Sequence, residues 1–106
     1  MKDLIEGLIA VANVKDFEDE EMIVVEVEDE EILICRVENS FHAISNICSH
    51  AYIELADGEL DGCFVTCPLH FSQFDVRTGE PQGPPAKEPV QVYELVIIDD
   101  LIYVKV

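Results

Sequence analysis

The chain has 106 residues, 49% of them apolar, enough for one ordinary domain with its own core and too few for a second folded unit. Its 23 acidic against 6 basic residues give a formal net charge of −17, a field that repels nucleic acid and anionic membrane surfaces. It contains no run of about 18 uncharged apolar residues, so no membrane-spanning helix is expected.

Residues 1–6 carry one basic and two acidic side chains and no long apolar stretch, unlike a secretory signal. The expected setting is therefore the cytoplasm, where thiols stay reduced and cysteines serve more often as metal ligands than as disulfides. Residues 4–11 read as a strand or a short helix, and periodicity does not separate the two. An acidic stretch follows, including Asp16, Glu18, Asp19, Glu20 and Glu21. Together with Glu26, Glu28, Asp29, Glu30 and Glu31, it is expected to keep the surface soluble and to attract basic protein patches over about 8–10 Å. Residues 22–28 and 31–37 are β-branched runs around an Asp29-Glu30 turn, which predicts a hairpin. Residues 41–45 predict a third strand after the turn at 38–40. Residues 90–98 and 101–106 predict a second hairpin around Asp99-Asp100.

Between these strands, from Asn46 to about Pro89, glycines and prolines break the pattern, and a loop region this long in a small domain is usually functional. It holds two short clusters, Cys48-Ser49-His50 and Cys67-Pro68-Leu69-His70. Each offers one soft thiolate and one imidazole at chelating spacing, which suits a thiophilic metal. Structural zinc sites usually group like ligands, as C-x2–4-C followed by H-x3–5-H. A mixed pair on each loop suits two irons that differ in their ligands, as in the [2Fe–2S] centres where two His replace two Cys on one iron. A mononuclear zinc site in a binding module remains the alternative, and it predicts a colourless protein.

Beyond these four residues, the chain resembles the Rieske ferredoxins of aromatic-ring-hydroxylating dioxygenase systems. Leu55 and Gly58 stand where the family's first loop carries Leu and Gly. The run Phe74-Asp75-Val76-Arg77-Thr78-Gly79 matches its F-D-x-x-T-G turn, and Gly83-Pro84-Pro85 matches its proline-rich covering loop. Phe71 stands where many Rieske domains place Gly after the second histidine. The resemblance implies an all-β, Rieske-type antiparallel β-sandwich, a single domain over 1–106 with a cluster-binding subdomain over about 46–86. It further implies one [2Fe–2S] cluster, with Cys48 and Cys67 on an inner iron and His50 and His70 on an outer one. Ile53 and Leu69 occupy the positions where high-potential members carry a disulfide, which implies the low-potential branch.

The implied function is that of a monomeric one-electron carrier between an NAD(P)H-dependent ferredoxin reductase and a terminal oxygenase, and not of an enzyme. An accessory small subunit of a larger oxidoreductase, as in nitrite reductases, is the second reading. Neither role involves nucleic acid or a membrane. Cys35 shares a strand face with Leu33 and Val37 and reads as a buried structural thiol. Cys63 alternates with Val65 and Cys67 and is expected to pack near the cluster without binding it. His42 lies mid-strand and reads as structural, and Tyr93 and Tyr103 read as core aromatics.

Overall fold

In the computed structural model, residues 7–49, 53–68, 72–83 and 88–105 are described, and they form ten strands in three antiparallel sheets. In chain order these are β1 (Leu8–Asn13), β2 (Met22–Val27), β3 (Glu30–Val37), β4 (Ser40–Ser45) and β5 (Glu59–Asp61). They continue with β6 (Phe64–Thr66), β7 (Gln73–Asp75), β8 (Val92–Tyr93), β9 (Leu95–Ile98) and β10 (Leu101–Lys105). The sheet orders are β1-β10-β9, β2-β3-β4-β8 and β5-β6-β7. The all-β antiparallel expectation holds, and the ambiguous first segment is a strand where it is described.

β3 explains how the sheets stack. Ile32, Leu33, Ile34 and Cys35 are each at most 1% exposed, so consecutive residues are buried on both faces of one strand. Leu33 and Cys35 belong to a core with Ile44, Leu55, Val65 and Phe74. Ile32 and Ile34 belong to another, with Ala43, Ile102 and Val104. The β2-β3-β4-β8 sheet is thus a middle layer, with the β1-β10-β9 sheet on one side and the small β5-β6-β7 sheet, which bears the loops, on the other. Phe17 closes the second core, meeting Phe41 edge to face at 5.3 Å between ring centres.

Two expectations are corrected. The first hairpin turns at Glu28-Asp29, one residue earlier than expected, because Val27 pairs with Glu30. Glu28 and Asp29 have φ of 52° and 69°, the type I′ geometry that matches strand twist but strains residues bearing a Cβ. Asp99 and Asp100 form the same turn where expected, with φ of 52° and 70°. Replacing Glu28-Asp29 by Asn-Gly should therefore raise stability by about 1 kcal/mol, measured by urea unfolding, because it removes left-handed strain at both positions.

The second correction concerns the run at 90–98, which is not one strand. β8 pairs with β4 in the middle sheet, whereas β9 pairs with β10, so the chain changes sheets at Glu94. The Glu94 carbonyl accepts from Lys105 N–H at 3.0 Å, anchoring that change.

Candidate metal centre

Two hairpins carry the paired-ligand motifs. In the second, Val65 pairs with Phe74 and Thr66 with Gln73. Beyond that last rung, the Cys67 N–H donates to the Ser72 carbonyl at 2.7 Å. The first is built alike on a shorter base. Ile47 and Glu54 form an isolated antiparallel bridge, and beyond it the Cys48 N–H donates to the Ile53 carbonyl at 2.9 Å. In both, the cysteine opens a loop that closes on the residue five positions later, and each loop contains the motif's histidine. His50 and His70 themselves, with Leu69 and Phe71, lie outside the described residues.

Cys48 is 4% exposed and Cys67 is fully buried, and both sit in the first core with Leu55, Val65 and Phe74. Two thiols brought into one core by equivalent hairpins fit a soft metal centre anchored from the protein side. Cys35 contrasts with them. Burial in the middle of β3 pushes its thiol up to about 12, so it stays protonated and apolar in character. Cys63 is half-buried in the β5–β6 turn against the same core, and neither Cys35 nor Cys63 is in a disulfide. The structural reading of Cys35 holds, and Cys63 packs against the core that contains Cys48 and Cys67.

The motif residues around the hairpins have steric and electrostatic reasons. A Cβ added at Gly58 would stand 1.7 Å from the Thr66 carbonyl oxygen, one residue before Cys67. Gly58 follows the 3-10 turn Leu55–Asp57 that leaves the first hairpin, so this close approach sets one hairpin against the other. Gly79 has φ of +79°, and a Cβ there would meet the Val90 carbonyl oxygen at 2.3 Å. That turn brings Pro81 back to bridge Phe74, and the Gln82 N–H donates to the Gln73 carbonyl at 2.7 Å. The loop expected to cover the cluster therefore starts on the outer edge of β7. At its far end, Ser49 Oγ donates to the Glu88 carbonyl at 2.6 Å, while Pro84 and Pro85 lie outside the described residues.

Asp75 sits at the root of this turn. It accepts from the Arg77 backbone N–H at 2.8 Å, from Nε at 3.0 Å and from Nη2 at 2.8 Å. Hydrogen bonding from Arg77 holds the Asp75 carboxyl below the usual carboxylate range. Because the folded pKa is depressed, this carboxylate contributes stability above its unfolded value, and the contribution is lost as pH falls through the folded one. Asp75→Asn should thus melt earlier than the parent at pH 7, with the gap closing below about pH 4, as read by circular dichroism. His42 stands beside this pair, and burial, followed by the charge of Arg77, lowers its pKa. It lies within β4, opposite Cys35 of β3.

Sequence reasoning missed two residues. Tyr93 is only half-buried: its ring packs against the second core while its hydroxyl hydrogen-bonds the Glu30 carboxylate, and burial and that contact push its pKa up to about 12. Asn46, fully buried two positions before Cys48, carries no sequence signal beyond a polar residue at a strand end. The described cations are all engaged. Lys15 pairs with Asp100 at 3.7 Å, Lys105 with Glu94 at 3.8 Å and Arg77 with Asp75, while Arg36 donates to the Phe17 and Glu38 carbonyls. Most carboxylates are left without a cationic partner among the described residues.

An all-β fold presenting two thiol-bearing hairpins, each with a histidine in its loop, fits a two-loop, thiolate-anchored metal protein. The profile of the Rieske [2Fe-2S] domain matches residues 7–94, and the chain belongs to that family, whose cofactor is a Rieske-type [2Fe–2S] cluster. The anthranilate 1,2-dioxygenase ferredoxin subunit of Burkholderia cepacia is 45% identical over 65 residues, which cover 60% of this chain and 59% of that relative. The chain thus aligns with about six-tenths of that relative's length. The ferredoxin of carbazole 1,9a-dioxygenase from Nocardioides aromaticivorans IC177 superposes with a TM-score of 0.91 at 33% identity, covering 94% of this chain and 98% of that one. A chain from the complex of reduced oxygenase and oxidized ferredoxin in carbazole 1,9a-dioxygenase superposes with a TM-score of 0.89 at 29% identity, covering 93% of each chain. Among the described residues, no helix is long and apolar enough to cross a membrane.

Proposed function

We propose that the protein is a one-electron carrier. It accepts electrons from an NAD(P)H-dependent ferredoxin reductase and delivers them to a terminal aromatic-ring-hydroxylating oxygenase. The observation that carries this reading is the matched pair of hairpins, each opening on a buried cysteine in one core. Cys48 and Cys67 would hold one iron, and His50 and His70 the other, within a cluster-binding subdomain over about 46–86. When bound, the cluster supplies a one-electron couple. The chain's own residues do the rest. The first core anchors both thiols and keeps water from them, the closed hairpins hold each loop in register, and Gly58 fixes the spacing between them.

The relatives named as dioxygenase ferredoxin components, and the ferredoxin seated on an oxygenase, support this direction of transfer. Ile53, half-buried against the core, stands where a disulfide cysteine would be needed, and the net charge of −17 disfavours adding an electron. Both support a potential near the negative end of the roughly −150 to +300 mV Rieske range. The excess carboxylates suit encounter with basic patches on a reductase and an oxygenase, by a monomer working in the cytoplasm.

Stopped-flow mixing of the reduced protein with a ring-hydroxylating oxygenase tests the role. Stoichiometric one-electron reoxidation is expected, with a second-order rate that falls as salt rises from about 50 to about 500 mM. Failure to reduce any such oxygenase, with the cluster intact, contradicts it.

A further inference from the structure

Unlike its counterpart, the first hairpin lacks a ladder beneath it. The second stands on β6–β7, paired over three rungs, whereas the first has only the Ile47–Glu54 bridge. Asn46 supplies the missing connection. Its backbone N–H donates to the Glu31 carbonyl at 3.0 Å, and its carbonyl accepts from the Leu55 N–H at 2.6 Å. Its side-chain Oδ1 accepts from the Ala56 N–H at 2.9 Å. Its Nδ2 donates to the carboxylates of Glu31 at 2.9 Å and Glu54 at 3.2 Å. One buried amide therefore joins β3 to both legs of the hairpin and uses both of its hydrogens on carboxylates.

The electrostatic consequence is specific. Two like charges held within about 6 Å of each other repel, and without a shared donor their side chains would swing apart into water. An amide satisfies both carboxylates without cancelling their charge, as a lysine or arginine at this position would. We propose that Asn46 is the positioning residue of the first hairpin and that it pins the Glu31 and Glu54 charges at the hairpin's foot, where they bias the cluster toward its oxidised form. This rests on the carrier reading above.

The test compares the holoprotein with two charge-matched double variants and with Asn46→Ala. Glu31→Gln/Glu54→Gln keeps both acceptors and removes both charges. Asp99→Asn/Asp100→Asn removes the same charge at the β9–β10 turn, in the sheet on the far side of the middle layer. At fixed ambient potential, the first should move the oxidised-to-reduced ratio about tenfold toward reduced, or about 59 mV for one electron, and the second no more than about twofold. Equal shifts in the two overturn the electrostatic role.

In Asn46→Ala, amide exchange across 47–54 should accelerate at least about tenfold while 66–73 is unchanged, since only one hairpin depends on the clasp. Unchanged exchange at 47–54 overturns the positioning role. A parent protein without the [2Fe–2S] spectrum instead overturns the carrier reading, and amide exchange still decides the clasp.

Discussion

Cys48→Ser and Cys67→Ser should each give a colourless protein without bound iron, while Cys35→Ser keeps both colour and metal. The prediction turns on separating ligation from packing. A serine oxygen is a poor substitute for a soft thiolate on iron, so either hairpin variant loses one of its two sulfur anchors. Each also buries a hydroxyl in the first core, which costs about 1–3 kcal/mol if it finds no acceptor. Cys35 is equally buried in the same core, so Cys35→Ser imposes that packing cost alone. A lower melting midpoint with full iron content in Cys35→Ser, beside complete iron loss in the other two, identifies the anchors. Iron retained at parental levels in Cys48→Ser or Cys67→Ser would remove that residue from the site.

Gly58→Ala is expected to be nearly as damaging, although Gly58 touches no metal. The added methyl would lie 1.7 Å from a backbone oxygen, which cannot rotate away as a side chain can. Either β6 moves or the 3-10 turn Leu55–Asp57 does, and each movement changes the separation of the Cys48 and Cys67 hairpins. A destabilisation of about 3 kcal/mol is expected, together with loss of cluster occupancy. Gly62→Ala provides the comparison. Its added Cβ meets nothing within 4 Å, so only backbone strain of about 1 kcal/mol applies and the iron should stay. Iron analysis and thermal melts of the two variants, side by side, distinguish close approach from a general sensitivity to glycine loss.

The parts of this molecule that could be read from the sequence are those governed by short-range pattern. The β-branched runs at 22–28 and 31–37 announce a hairpin, and Asp99-Asp100 falls between two β-branched runs. The C-x-H and C-x-x-H spacings point to a two-loop metal centre because chelation is a local constraint, and Gly58 and Gly79 belong to recognisable motifs. What could not be read depends on which sheet a strand joins. Nothing local in 90–98 marks Glu94 as the point where the chain leaves β4 for β10. The turn at Glu28-Asp29 was displaced by one residue because four successive acids leave its register ambiguous. Asn46 is invisible for a similar reason. Its partners Glu31, Glu54 and Ala56 are brought to it by the tertiary fold, 8 to 15 residues away along the chain. Tyr93 looks like a core aromatic until β8 proves to be an edge strand, with the hydroxyl beside Glu30.

Electron–nuclear spectroscopy on the reduced protein, with nitrogen-15 confined to histidine, tests the central claim most directly. Two inequivalent histidine nitrogens coupled to one iron, in a spectrum with the lowered average g of a Rieske centre, are expected. One of these couplings should vanish along with the Rieske signal in His50→Cys and in His70→Cys, while both persist in His42→Ala. A reduced protein with no histidine coupling, or with coupling lost in His42→Ala and retained in the other two, would contradict the ligand set.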